Sequence, residues 1–297
     1  MTISTTSSIS IRPLLDWSEY HAAEVLQKVV WQMPDWRDVV PAELLITAQR
    51  GGGFVLGAFD SASDGRLVGL AFSFVGIDEG PHGSVFKQCS HLLAVLPEFQ
   101  SRKIGVQLKL KQRELTLAQG IPLMTWTYDP LLFLNARLNL ARLGAVARRY
   151  IPNAYGDMSD GLNAGLSSDR FQVEWWLNSS RAVRGAAGEP PHADWAALVR
   201  AGAREVFDIA WDGPFPSIQA VHVLGGDSLC VEIPSDLAAL KAHAPDLARE
   251  WRSRTRDVFE RAFGAGYTAQ DLVMTQGEPR RAAYVLTRTP VDTGGLR

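Results

Sequence analysis

The spacing of apolar positions changes repeatedly along the chain, and each change marks an element. Residues 9–14 alternate weakly, which predicts a first strand. Asp16 or Ser18 can cap a helix through Tyr20, Ala23, Leu26 and Val30 that Met33-Pro34-Asp35 breaks. Pro41 opens a second, short helix over residues 43–46. Beyond Gly51-Gly52-Gly53, the runs 54–59 and 67–75 predict a hairpin with a polar tip at residues 60–65. A turn at residues 78–83 leads into a strand that carries Ser90-His91-Leu92 and stops at Pro97. An amphipathic run then begins, with Ile104, Leu108 and Leu115 at spacings of four and seven. Gly120 closes that helix, and residues 123–128 form a short strand ended by Asp129-Pro130.

A further amphipathic helix covers residues 131–143 and ends at Gly144. Residues 150–160 read as a polar loop, and residues 171–177 as a strand that completes a first sheet. Residues 184–192, rich in glycine and alanine with a proline pair, read as a linker. The remainder predicts a hairpin from residues 220–224 and 229–233 across Gly225-Gly226-Asp227. Helical sequence capped at Pro234-Ser235-Asp236 runs to about residue 263, interrupted at Pro245, and strands follow at 268–275 and 281–287. The class is α+β with a mixed sheet. Its expected organisation is a domain at 8–180, a linker at 181–192 and a smaller α+β subdomain at 193–297.

Composition narrows the function. The formal net charge of −2 argues against a nucleic-acid-binding surface. Hydrophobic content of 46% and charged content of 21% are those of a globular protein, and no apolar run reaches bilayer-spanning length. The first residues lack the pattern of a signal peptide and are expected to be disordered. Cys89 and Cys230 suit free thiols in a reducing cytoplasm. The six histidines show no metal-ligand spacing, so no metal is expected.

The stretch at the end of the third long strand is the most informative. Gln100-Ser101-Arg102-Lys103-Ile104-Gly105 lies between strand and helix, with two cations where they oppose the helix dipole. Such a placement suits an anion docked on the free amides of the first turn. With the strand before it and the helix after it, the hexapeptide resembles the acyl-CoA-binding signature of the GNAT acyltransferases, Gln/Arg-x-x-Gly-x-Gly/Ala. Gln100 and Gly105 match, Ile104 fits the middle position, and Lys103 replaces the first glycine. A lysine can offer its N–H there provided its φ is negative. The blocks WTYDPL, NARLNLARLGA, YIPNAYG and SDRFQVEWWL resemble a poorly characterised GNAT subgroup of larger bacterial proteins. The resemblance implies a GNAT fold over about residues 10–180, with the C-terminal subdomain read as a degenerate GNAT-like half.

It also implies roles. The backbone of Gln100, Ser101, Arg102, Lys103, Ile104, Gly105 and Val106 would cradle the diphosphate of acetyl-CoA or another acyl-CoA. Leu93 and Val95 would pair with the pantetheine arm, and Asn135 would reach it from the later helix. His91 shares a strand face with Leu93 and Val95, and an imidazole can take a proton from an ammonium group. A buried histidine bonded to a carbonyl is the plain alternative. Asp129 either holds an amine or caps the next helix, and Tyr155 or Tyr150 can replace the tyrosine acid that the family places where Leu140 stands. Asp169-Arg170 reads as an ion pair or a carboxylate anchor. The implied reaction moves a short acyl group to a primary amine of a small molecule such as an amino acid. The alternative is an inactive acyl-CoA-binding sensor. Neither a nucleic-acid nor a membrane partner is expected, and the oligomeric state is left open, a homodimer included.

Overall fold

The structure is a computed structural model that describes residues 8–80, 83–156, 158, 165–189, 194–211, 213–275 and 279–295. The N-terminal residues expected to be disordered lie outside this set. The chain packs as two compact units, with the division between Thr125 and Trp126 inside a strand.

In the first unit, β1 (Ile9–Pro13) leads to α1 (Trp17–Trp31). Asp16 caps α1 by accepting the Glu19 N–H, and Glu19 in turn holds Arg12 through two bonds of 2.6 and 2.9 Å. Then come α2 (Ala42–Arg50), β2 (Phe54–Asp60), β3 (Arg66–Gly80), β4 (Gly83–Val95), α3 (Ile104–Ala118) and β5 (Leu123–Tyr128). The sheet order is β1-β2-β3-β4-β5, antiparallel up to β4, with β5 parallel to β4. The order of elements is the expected one. The turn expected at 78–83 is narrower, since β3 runs to Gly80 and β4 starts at Gly83; residues 81–82 are outside the described set. This sheet is buried on both faces, with Leu56 and its partner Ala71 on one and Leu70 and Phe72 on the other, and Leu26, Leu45, Leu92, Ile104 and Leu108 belong to the same core. Gly69 admits Ile104, whose Cγ2 lies 3.1 Å from where a β-carbon would stand.

The second unit continues with α4 (Phe133–Ala136), which passes into a π-helical turn, Arg137–Arg142. There Leu143 N–H reaches back five residues to the Leu138 carbonyl. β6 (Val146–Ile151) and β7 (Arg170–Trp176) pair antiparallel. The loop expected from residue 150 therefore starts later. Tyr150 is buried within β6, which runs to Ile151 and places Val146, Ala147 and Tyr150 inward. α5 (Ser180–Ala187) occupies the start of the expected linker, capped by Ser179 and closed by Gly188 at φ +86°. Alanine and the two caps favour helix there, and residues 190–193 lie outside the described set.

α6 (Trp195–Arg200), β8 (Arg204–Glu205) and β9 (Phe207–Ala210) follow. β10 (Ser217–Val221) pairs with β9 and not with β11 (Ser228–Ile233), so the hairpin expected across Gly225-Gly226 does not form. His222 explains this locally, bonding Val206 O through its N–H and Asp208 through its ring. α7 (Leu237–His243), α8 (Pro245–Gly264), β12 (Thr268–Met274) and β13 (Ala282–Thr287) match expectation, with Pro245 starting α8. The strand order is β7-β6-β12-β13-β11-β8. The connection β5–α4–β6–β7, with β7 between the other two strands, recurs as β11–α8–β12–β13, with β13 in the middle. That is the echo expected of the C-terminal part.

Candidate functional site

On β4 Gln88, Ser90, Leu92 and Ala94 are buried and His91 is exposed. The face that His91 was expected to share with Leu93 and Val95 does not form, because the His91 ring lies on the side of Phe72 and Phe74, whereas Leu93 pairs with Ala71 on the other side and lies near Gly105 of α3. His91 sits at a bulge, since Ser90 pairs with Ser73 and Leu92 with Phe72. Its ring stands 5.9 Å from Phe72, edge to face, and 6.3 Å from Phe74. Among the described residues neither imidazole nitrogen has a hydrogen-bond partner, so it is not a histidine satisfied by a carbonyl. Its aromatic surroundings desolvate it and lower its pKa below the ordinary 6.5, so the ring is neutral and basic at pH 7. β4 pairs with β5 only at Gln88↔Met124 and Cys89↔Thr125, and residues 90–95 lie outside that ladder.

After Pro97 the chain turns through Gln100 (φ −61°), Ser101 (φ +66°) and Lys103 (φ +62°) before entering α3. The condition set for Lys103, a negative φ, is not met. The lysine adopts the left-handed geometry of a glycine, at a cost of roughly 1 kcal/mol or more, as Ser101 does. No side chain caps α3, so its first-turn N–H groups receive no acceptor from a capping residue. A β-carbon on Gly105 would meet only Leu93 Cδ2, at 3.8 Å, so the space above this turn is open. Arg102, Lys103 and Ser101 are exposed beside it, with Arg102 stacked 4.7 Å over Phe99.

Between β4 and α3 lies a polar cluster not foreseen in the sequence. Lys109 on α3 is fully buried and donates to Ser90 Oγ at 2.7 Å, while Ser90 donates to Gln112 Oε1 at 3.2 Å. Burial pushes the Lys109 pKa down to about 7.

The remaining candidates stand in the second unit. Asn135 is exposed at the end of α4. Leu140 is fully buried. Tyr155 is 54% exposed, and its hydroxyl bonds Thr127 Oγ1 at 2.7 Å beneath the Arg170 guanidinium. Asp129 is buried; Oδ1 accepts the Leu131 N–H at 2.9 Å in the turn before α4, whose N-cap is Leu132 without a side-chain bond, and Oδ2 accepts from Arg252 with Arg170 4.0 Å away. Asp169 takes Arg256 at 2.7 and 2.8 Å and the Tyr150 hydroxyl at 2.5 Å. Burial alone would raise the Asp169 pKa, but these donors outweigh it and lower it. Sequence reading passed over Arg252 and Arg256, although Arg249, Arg252, Ser253 and Arg256 fall on one face of a helix.

A scan of protein-family models finds no match to this sequence, and a search of curated proteins finds none. Among solved structures, parts of the chain are similar to acetyltransferases. One is a chain of the NatC complex bound to Gag peptide and CoA (13% identity, 57% of this chain, 99% of that one, TM-score 0.44). Another is the ribosomal-protein-S18-alanine N-acetyltransferase from Escherichia coli (13% identity, 56% and 92% covered, TM-score 0.42). A third is an aminoglycoside acetyltransferase from an uncultured soil metagenomic sample (19% identity, 41% and 79% covered, TM-score 0.36).

Proposed function

We propose that the protein is a GNAT-type N-acyltransferase that moves an acetyl or other short acyl group from acyl-CoA to a primary amine of a small molecule. One observation carries the reading. The unladdered edge of β4 at residues 90–95 runs straight into a left-handed turn that leaves the first amides of α3 open. A strand edge suits the amide-bearing pantetheine arm, and an uncapped helix start flanked by Arg102 and Lys103 suits a diphosphate. The transferase part is residues 8–180.

In the reaction the amine nitrogen attacks the thioester carbonyl, the C–N bond forms, the C–S bond breaks and CoA leaves as a thiolate that takes up a proton. β4 amides polarise the carbonyl oxygen as negative charge develops. His91, neutral at pH 7, takes the proton from the ammonium. Asn135 and Tyr155, to which the resemblance gives the arm contact and the acid, both belong to the second unit. Asp129 has both oxygens engaged, so its part is to hold the entry to α4.

His91→Ala is expected to lower kcat about 10²–10⁴-fold with little change in CoA affinity. The wild-type rate should rise with pH and level off below 6.5, because the base works once deprotonated and its pKa is lowered. Thiol release against pooled amino acids measures both. A rate indifferent to His91→Ala and to pH removes the base from the mechanism.

Binding without turnover is the second reading, and Leu140 favours it, since a buried leucine stands where the family carries its tyrosine acid. Saturable CoA binding with no thiol release to any amine would select it.

A further inference from the structure

A cleft of about 450 Å³ in the second unit is lined by Met158, Gly165, Leu166, Ser167, Arg249, Arg252, Ser253 and Arg256. Four of these, Arg249, Arg252, Ser253 and Arg256, sit at spacings of three, four and seven on α8 and so form one stripe. Three are arginines, and among the described residues no carboxylate belongs to the lining. Each of these arginines already meets one carboxylate that lies outside the lining. Asp246 holds Arg249, Asp169 holds Arg256, and Asp129 is shared by Arg252 and, at 4.0 Å, Arg170.

Arg252 is the decisive residue. It is 3% exposed, and Asp129 takes only its Nη2. Its Nε and Nη1 are buried without a hydrogen-bond partner among the described residues. A guanidinium cannot shed its proton to escape burial, so donors left over call for an acceptor. Ser167 Oγ, which accepts from Arg256 Nη2 at 2.7 Å, and the exposed Ser253 add hydroxyls at the same place.

We propose that this cleft binds a small molecule through an oxyanion, a carboxylate or a phosphate group, with Arg252, Arg249 and Arg256 as the cationic wall. The volume suits a compact ligand. The described lining belongs to the second unit, and the site does not depend on the acyl-transfer reading.

The test is calorimetric titration of the full chain at low ionic strength with succinate, with inorganic phosphate and, as control, with chloride at matched ionic strength. Saturable binding of succinate identifies a carboxylate source, and of phosphate a phosphoryl source. Ser253→Asp sets a negative charge on the stripe at an exposed position without touching Asp129 or Asp169, and should weaken that binding at least tenfold with an unchanged circular-dichroism spectrum. Should that variant not fold, Arg249→Ala, at an exposed ion pair, should weaken it at least threefold. Absence of saturable binding beyond the chloride control, or binding unaltered in the folded variant, overturns the proposal. No acyl-CoA enters the experiment, so failure here leaves the acyl-transfer reading intact and the reverse also holds.

Discussion

The two units bury cations in opposite ways. In the first, Lys109 lies wholly inside with its ammonium on the Ser90 hydroxyl, and desolvation brings its pKa to about 7. In the second, Arg252 is as deeply buried, yet the Asp129 charge and hydrogen bond more than offset desolvation and its pKa is raised. Asp169 with Arg256 and Glu232 with Arg281 repeat the pairing. The difference follows from the side chains. A lysine can become neutral when water is removed, whereas an arginine keeps its charge and must find an anion. The second unit is pinned by long-range ion pairs.

Breaking a pair in the second unit should have the largest effect. Asp129→Asn leaves Arg252 buried and is expected to cost about 3–5 kcal/mol in urea denaturation. The double variant with Arg252→Met should recover much of that loss. Equal losses in the single and double variants would mean the pair contributes nothing.

The corresponding change in the first unit should have the opposite sign. Lys109 binds its proton more weakly folded, at about 7, than unfolded, near 10.4. Between those values the unfolded chain holds more protons, so stability rises with pH through that window and the penalty is fully present below it. Lys109→Met should raise Tm at pH 7 by several degrees and flatten that rise. A Tm that falls, with the pH dependence kept, would show Lys109 to be a stabilising cation.

The smallest effect belongs to the turn. Lys103 pays for its φ of +62°, so Lys103→Gly should stabilise by about 0.5–1 kcal/mol and leave CoA binding in place. A destabilised variant would show that the lysine side chain holds the turn by contacts of its own.

What could be read in the sequence follows the same division. The first unit was legible because its faces are set by near neighbours: Asp16 caps α1 three residues on, and β2, β3 and β4 meet through short turns. Gln100 and Gly105 announced the turn, but the φ of Lys103 was hidden, since a lysine does not signal left-handed backbone. In the second unit Arg252 meets Asp129 across 123 residues and Arg256 meets Asp169 across 87, so no local pattern joined them. The apolar runs of β10 and β11 looked like a hairpin for the same reason, because β9, the true partner of β10, is only four residues long.

The central claim is that β4, the turn and the start of α3 hold acyl-CoA. Calorimetric titration of the full chain with acetyl-CoA, beside Gly105→Glu, tests it most directly. The glutamate has room, with only Leu93 within 4 Å of its β-carbon, and an acidic residue favours a helix start, so the fold should stand. The account predicts one-to-one binding to the wild type that the added carboxylate abolishes by repelling the diphosphate. No binding of acetyl-CoA or longer acyl-CoAs to the wild type, or equal binding to both proteins, would contradict it.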